Sequence, residues 1–409
     1  MSEPTHAAPA PVEQKRRIKS LDVMRGFAVL GILAVNAAYF SAPWQAAMNP
    51  ASAPLAITEG TLWAWLVMHV FFEFKCITLF SMLFGASLYM VGGEREDKTR
   101  GALLRRRLFW LLVFGAIHGL LIWYGDILFT YALTGFLVML ARSWTARTLL
   151  TVGAMLFAAS AMFSGLLGLV WDFVPAAKLE AVRAQYWALP DDVIADMIAR
   201  YQAGALSATQ ANIESWLEFM QGGLVTLMLR TAGVMMIGMG LFKAGFLSGN
   251  APKWAYALIA ALGAAALAII GAQALLNAEA NFDFAHMQVR GMLANSVLSI
   301  VAALGYASAL VLLVQAGARF LTEPLAAVGR MAFTNYIAQS LIMTTIFYAG
   351  RGFGLWGELD RTQLWGIVVA IWALQLLWSP LWLARFEMGP LEWLWRRLSY
   401  GRPIAIAKA

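Results

Sequence analysis

Ten apolar runs, most of them about as long as a helix must be to cross a bilayer, follow one another along the 409-residue chain. They cover residues 18–40, 62–91, 104–123, 127–141, 149–171, 224–246, 254–276, 292–315, 325–349 and 364–383. The fourth is short and the second long. The first has the outline of a secretory leader. A long basic lead-in precedes it, however, Asp22 and Arg25 sit at its start, and no small-x-small site clearly follows, so it reads as a retained helix.

Composition closes off the soluble alternative. AVILMFWYC residues make up 61% of the chain and charged residues 13%, whereas a soluble chain is about a quarter charged. The net charge of +7 would suggest nucleic acid only if it lay on one folded face. Here it comes in short clusters between apolar runs, which argues against nucleic acid as a partner. The single cysteine, Cys76, permits neither an intrachain disulfide nor zinc-finger spacing. The expected fold is an all-α polytopic membrane protein with about ten transmembrane helices.

Ten spans put both termini on one side. With the termini cytoplasmic, 21 of the 30 Lys and Arg fall in cytoplasmic segments and six in outer ones, as the positive-inside rule requires; Arg25, Lys75 and Arg230 remain within spans. Residues 1–14, rich in Ala and Pro, are expected to be disordered. Residues 15–388 form the membrane domain. Within it, segment 172–223 carries acidic residues and an apolar set at helical spacing (Val193, Met197, Tyr201), which predicts short amphipathic helices on the outer face. Gly389 and Pro390 interrupt the last helix, and residues 389–409, with Trp393 and Trp395 among Glu392, Arg396 and Arg397, read as a cytoplasmic interfacial anchor.

Ionisable side chains inside a span are costly unless paired or facing a cavity, so each is a functional candidate. At about 1.5 Å per residue, His69 and Glu73 lie roughly 10 and 16 Å below the outer end of the second span, on one face at i and i+4. His118 lies roughly 7 Å below the outer end of the third span, with Asp126 at the turn beyond it. Arg230, Asn36 and the pair Asn335 and Gln339 have comparable depths, giving an outer polar layer. A second layer, Asp22 with Arg25, Lys75 and the Arg105, Arg106, Arg107 cluster, lies near the cytoplasmic end. The local alternatives are an Asp22–Arg25 ion pair, a Lys75 contact with Asp22, and Glu73 neutralising Arg230.

The same residues resemble a known family. Arg17-Ile18, Leu21-Asp22, Arg25-Gly26-Phe27-Ala28, Gly31-Ile32 and Asn36 look like the opening signature of the YeiB-like family of bacterial polytopic membrane proteins (domain of unknown function 418). Further matches are Phe74-Lys75 before Leu79-Phe80-Ser81, His118-Gly119 followed by Gly125-Asp126-Ile127-Leu128, and Gly389-Pro390-Leu391-Glu392-Trp393. The resemblance implies a multi-pass protein of the bacterial cytoplasmic membrane. Its Leu-Asp-x-x-Arg-Gly opening is also similar to that of heparan-alpha-glucosaminide N-acetyltransferase and related acyltransferases, which move an acyl group from cytoplasmic acyl-CoA to an acceptor on the far side. Those relatives use a histidine on the non-cytoplasmic side. Segment 41–61 has none, so His118 and His69 take that place by depth.

The leading expectation is therefore a transmembrane acyltransferase. Acyl-CoA enters as co-substrate with its phosphates drawn to Arg25, Lys75 and the arginine cluster. His118, held by Asp126 or assisted by Glu73, acts as general base, and Arg230 and Asn335 stabilise the oxyanion. Neither a tightly bound cofactor nor a metal is expected. The partners are membrane lipid and a small-molecule, lipid or glycan acceptor, and a homodimer stays open. The alternatives are a proton-coupled transporter or flippase using the same His and Glu residues, and a non-catalytic envelope scaffold.

Overall fold

The computed structural model describes residues 18–52, 54–170 and 173–408, and the tail at 1–14 lies outside them. The described chain is helical, with isolated bridges in place of strands. In order it runs α1 (Lys19–Ser41), α2 (Trp44–Met48), α3 (Glu59–Phe71), α4 (Lys75–Gly92), α5 (Lys98–Ile117), α6 (Leu128–Val138), α7 (Ala146–Val170), α8 (Ala176–Tyr186) and α9 (Asp191–Gln202). It continues with α10 (Ala205–Lys243), α11 (Lys253–Glu279), α12 (Phe284–His286), α13 (Leu293–Gln315), α14 (Arg319–Arg330), α15 (Ala332–Phe347), α16 (Arg361–Arg385) and α17 (Pro390–Tyr400).

Seven helical stretches are long and apolar enough to cross a membrane: α1, α3 with α4, α7, α10, α11, α13 and α16. The other three expected spans are present as helices of a different kind. α5 is loaded with arginine at its start, α6 is short, and the run at 325–349 is split at Met331 between α14 and α15. The long second run is also split. Phe74 adopts a left-handed backbone (φ 63°), ending α3 and restarting the chain as α4. Segment 172–223 yields the short helices α8 and α9, but residues 205–223 continue without interruption into α10, a single helix of 39 residues.

Burial separates centre from rim. α1 is 72% buried over its span window while α11 is 22% buried, so the helix nearest the N-terminus is the hub and α11 faces lipid. α14, α4, α15, α13 and α16 pack around α1. Close crossings depend on small residues, as is usual where lipid competes for apolar contact. At the α4–α10 crossing a Cβ on Gly85 would lie 1.9 Å from the Met235 carbonyl oxygen, and one on Gly238 would lie 2.1 Å from that of Met82.

The C-terminal helix locks the start of α15. The Glu392 carboxylate accepts hydrogen bonds from the Phe333 N–H (2.7 Å), the Thr334 N–H (3.1 Å) and the Thr334 hydroxyl (2.5 Å). Phe333 and Thr334 lie in the first turn of α15, where N–H groups have no partner within the helix. A carboxylate from α17 thus caps a helix to which it is not joined. Glu392→Ala is expected to cost about 1–2 kcal/mol, the range of a lost N-cap, with Glu392→Gln between it and wild type. Thermal unfolding in detergent checks the order.

Candidate functional site

Two buried polar clusters stand out, and the sequence pointed to part of each. The first is centred on His118, the point at which α5 gives way to a π-helical turn over His118–Ile122. Such turns leave backbone carbonyls without their ordinary helical donors. Here Asn212 of α10 donates to the Gly119 and Leu120 carbonyls (2.9 and 3.1 Å), and Arg351 donates to those of Ile122 and Leu121 (2.6 and 2.9 Å). The turn is therefore held by groups from distant parts of the chain, and its first residue is fixed in place.

His118, Asp126 and Ser340 are each about 1% exposed. The His118 Nδ1 lies 2.9 Å from Asp126 Oδ1, and its Nε2 lies 2.9 Å from the Ser340 hydroxyl. Asp126 also accepts from the Leu128 and Phe129 N–H groups (3.1 and 2.7 Å), so the carboxylate caps α6 while it orients the imidazole. A neutral imidazole that donates from Nδ1 to the carboxylate leaves Nε2 as the acceptor of the serine hydroxyl proton. The order carboxylate, imidazole, hydroxyl is that of an activated serine nucleophile. Tyr336, one turn before Ser340 on α15, has its ring centroid 5.2 Å from that of His118, and its buried hydroxyl, beside the Ile127 backbone, donates no hydrogen bond among the described residues.

The second cluster fills the break between α3 and α4. His69 Nδ1 and Glu73 Oε2 are 2.5 Å apart. The fully buried Lys75 donates to the His69 carbonyl (2.6 Å) and to Asn295 of α13, and Asn295 donates to Glu73 (3.0 Å). His69 stacks on Trp65, and its Nε2 is buried without a hydrogen-bond partner among the described residues. Lys75 is thus bridged to Glu73 through Asn295, not paired with Asp22. The expectation of an inner-layer lysine assumed one continuous helix; the helix breaks at Phe74, and the Lys75 side chain reaches back to the His69 carbonyl near the end of α3.

Removing one member of such a buried set strands the other charge. Lys75→Met is expected to cost about 3–5 kcal/mol, and the double variant Lys75→Met with Glu73→Gln is expected to recover part of it. Thermal unfolding of the three proteins in one detergent is the check.

The remaining candidates lie apart from these clusters. Asp22 and Arg25 form a local ion pair at 2.9 Å. Arg230 does not meet Glu73. It donates to the Ser299 hydroxyl (2.8 Å) and to the Ser296 hydroxyl and carbonyl (3.2 and 3.1 Å), between the Phe157 and Phe74 rings. Two serine hydroxyls, one backbone carbonyl and two ring faces on neighbouring elements take the place of the expected carboxylate. Asn335 and Gln339 join a network across α15 and α16: Asn335 donates to Ser379 and to the Val328 carbonyl, Gln339 donates to Gln375, and Trp378 donates to Asn335. Asn36 is half-buried and makes no side-chain hydrogen bond among the described residues. Arg230 and Asn335 are thus each committed elsewhere, and Tyr336 is the group beside His118 with a hydroxyl to spare.

Sequence reasoning missed Ser340 and Asn295. The one available signal for Ser340 was its place beside Gln339 in the polar face Asn335, Gln339. The signal for Asn295 was an asparagine at the head of a polar set, with Ser296 and Ser299, in a largely apolar run.

A family model described as "Protein of unknown function (DUF418)" matches residues 241–402. The uncharacterized protein YeiB of Escherichia coli (strain K12) is 33% identical over 396 residues, covering 93% of this chain and 95% of its own. The uncharacterized protein YxaH of Bacillus subtilis (strain 168) is 32% identical over 420 residues, covering 97% and 98%. An uncharacterized 39.9 kDa protein of Bacillus acidopullulyticus is 28% identical over 405 residues, covering 97% and 99%. No solved structure matches.

Proposed function

We propose that this chain, which belongs to the YeiB-like family of DUF418 proteins, is an acyltransferase embedded in the membrane, with Ser340, His118 and Asp126 as its reacting relay. The single observation that carries the reading is the pair of 2.9 Å contacts that put one imidazole between a carboxylate and a hydroxyl inside a membrane bundle. A buried histidine with no chemical task needs only one satisfied nitrogen on each side. It does not need a carboxylate that is itself fixed by two backbone N–H groups.

The chemistry follows from the geometry. Ser340 Oγ attacks the thioester carbonyl carbon of an acyl donor of the acyl-CoA class while His118 Nε2 takes the hydroxyl proton, and Asp126 steadies the imidazolium. The Tyr336 hydroxyl is free to donate to the oxyanion. The C–S bond then breaks, the thiolate leaves with the proton from His118, and Ser340 carries the acyl group as an ester. An acceptor hydroxyl or amine gives its proton to His118 and attacks that ester. The C–Oγ bond breaks, and Ser340 regains a proton. Because all three groups are closed off from solvent, donor and acceptor reach the relay only when the packing around α15 opens, so the cycle includes a conformational step.

The test is covalent capture. Purified protein in nanodiscs, mixed with acetyl-, hexanoyl- and palmitoyl-CoA without acceptor, is expected to release free thiol and to gain one acyl group on the tryptic peptide containing Ser340. If no donor is consumed and no adduct forms at any chain length, the reading fails.

One observation favours a second reading, proton-coupled transport. A helix broken at membrane depth with His69, Glu73 and Lys75 in the break is the architecture on which transporters couple ions to solute. That reading expects pH-gradient-driven flux in liposomes that is lost in Glu73→Gln and retained in Ser340→Ala.

A further inference from the structure

The C-terminal helix gathers a set of cations that neither the relay nor the broken-helix cluster uses. α17 docks on α5 at one residue: the Trp395 indole N–H donates to the Arg107 carbonyl (2.9 Å), and the Arg107 guanidinium lies over the Trp395 ring, 4.2 Å from its centroid. Tyr400, the last residue of α17, hydrogen-bonds the same guanidinium, and the charges of Arg396 of α17 and Arg25 of α1 act on it. Arg106 reaches the same end of α17, its Nη1 being 3.7 Å from the Cβ position of Gly401. Three helices distant in sequence thus set Arg25 and Arg396 within reach of the Arg107 charge.

Negative charge is scarce here. Asp22 is engaged by Arg25 at 2.9 Å, and Glu392, the acid of α17, caps the first turn of α15. No carboxylate pairs with Arg106 or Arg107 among the described residues. An aromatic face and a phenol hold the Arg107 fork in position without neutralising it. Like charges gathered in a partly buried place repel one another. The group that relieves this is an oxygen-rich dianion, and guanidinium forks match phosphate oxygens two at a time. The surroundings favour a lipid as its carrier. Trp393 and Trp395 are half-buried on α17, as side chains at a membrane–water interface are. Phe109, at i+3 from Arg106 on α5, is 52% exposed, so apolar surface for an acyl chain lies one turn from the cations.

We infer that Arg25, Arg107 and Arg396, bordered by Arg106, bind the headgroup of a membrane phospholipid that carries two negative charges on phosphate. Ser340, His118 and Asp126 take no part in this cluster, so the inference stands whether or not the relay transfers acyl groups.

The test is native mass spectrometry of full-length protein, delipidated in maltoside micelles and titrated with oleoyl forms of phosphatidic acid, cardiolipin, phosphatidylglycerol and phosphatidylcholine. At least one of the first two is expected to bind about 10-fold or more tighter than phosphatidylglycerol, which carries one charge, and than neutral phosphatidylcholine. Arg396→Gln is expected to erase that margin. It is the clean variant, because Arg107 keeps its contacts with Trp395 and Tyr400; Arg107→Gln is expected to erase the margin as well. Arg397→Gln removes the same charge one position along, from an exposed side chain, and is expected to keep it. Equal binding of phosphatidylglycerol and both doubly charged lipids to wild type overturns the inference, as does a margin that survives Arg396→Gln. Equal loss in Arg397→Gln would reduce the effect to diffuse surface attraction and overturn it too. Free pyrophosphate that competes as strongly as the lipids would assign the cluster to a soluble phosphate compound and overturn the lipid as carrier. Thermal unfolding of each variant separates lost binding from lost fold.

Discussion

Alanine at Ser340 or at His118 is expected to reduce acyl transfer by about 10³-fold or more, because in the proposed relay Ser340 is the nucleophile and His118 the base that takes its proton. Asp126→Asn is the sharper experiment. Asparagine keeps an oxygen to cap α6, so the fold should hold, but it no longer carries the charge that favours the Nδ1–H tautomer. A loss of about 10⁴-fold in kcat is the scale seen when a relay aspartate is neutralised in serine hydrolases. The three losses should not add, since the residues act as one unit. A double variant, Ser340→Ala with His118→Ala, should therefore sit close to either single variant. If Ser340→Ala keeps wild-type turnover while His118→Ala does not, the serine merely positions the imidazole, and transfer runs directly from donor to acceptor.

The second large effect concerns assembly. Gly85→Ala is expected to destabilise the protein by more than the roughly 1–3 kcal/mol of an ordinary overpacked core, and Gly85→Val to leave no folded protein to purify. In both, the new Cβ meets the Met235 backbone carbonyl, which cannot rotate away as a side chain would. Helix propensity alone gives the opposite sign, since alanine is favoured over glycine by about 1 kcal/mol. Gly366 supplies the control: it lies within α16 with nothing within 4 Å of its Cβ position, so Gly366→Ala should be neutral or stabilising. Melting temperatures of the two alanine variants in the same detergent give the comparison. Equal shifts would mean that the α4–α10 crossing can slide apart at no cost.

The membrane fold was legible because lipid enforces it. Any stretch that crosses must satisfy its own backbone and show an apolar exterior, and both demands are written in consecutive residues. The His118–Asp126 pair was legible for a related reason: only eight positions separate the two, and a turn between them was marked by Gly125. Ser340 is 222 positions from His118, and Asn295 is 220 from Lys75. Such partners are set by which helices pack together, and hydropathy does not encode that. Lys75 shows a further limit. Neither glycine nor proline marks the break at Phe74, so a run of apolar residues reads as one uninterrupted helix, and the contact of Lys75 with the end of α3 does not follow from it. Tertiary packing holds Phe74 in the left-handed region, and nothing local announced it.

The carboxylate of Glu392 has a consequence for how the protein is made. Chains are made from the N-terminus, so α15, with Ser340 on it, is complete before Glu392 has been added. For that interval the first turn of α15 has no acceptor from α17. A nascent chain arrested before α17 should expose α15 to proteases and to quality-control machinery that reads polar groups in lipid. Only when α17 has been made can the Glu392 carboxylate cap the first turn of α15.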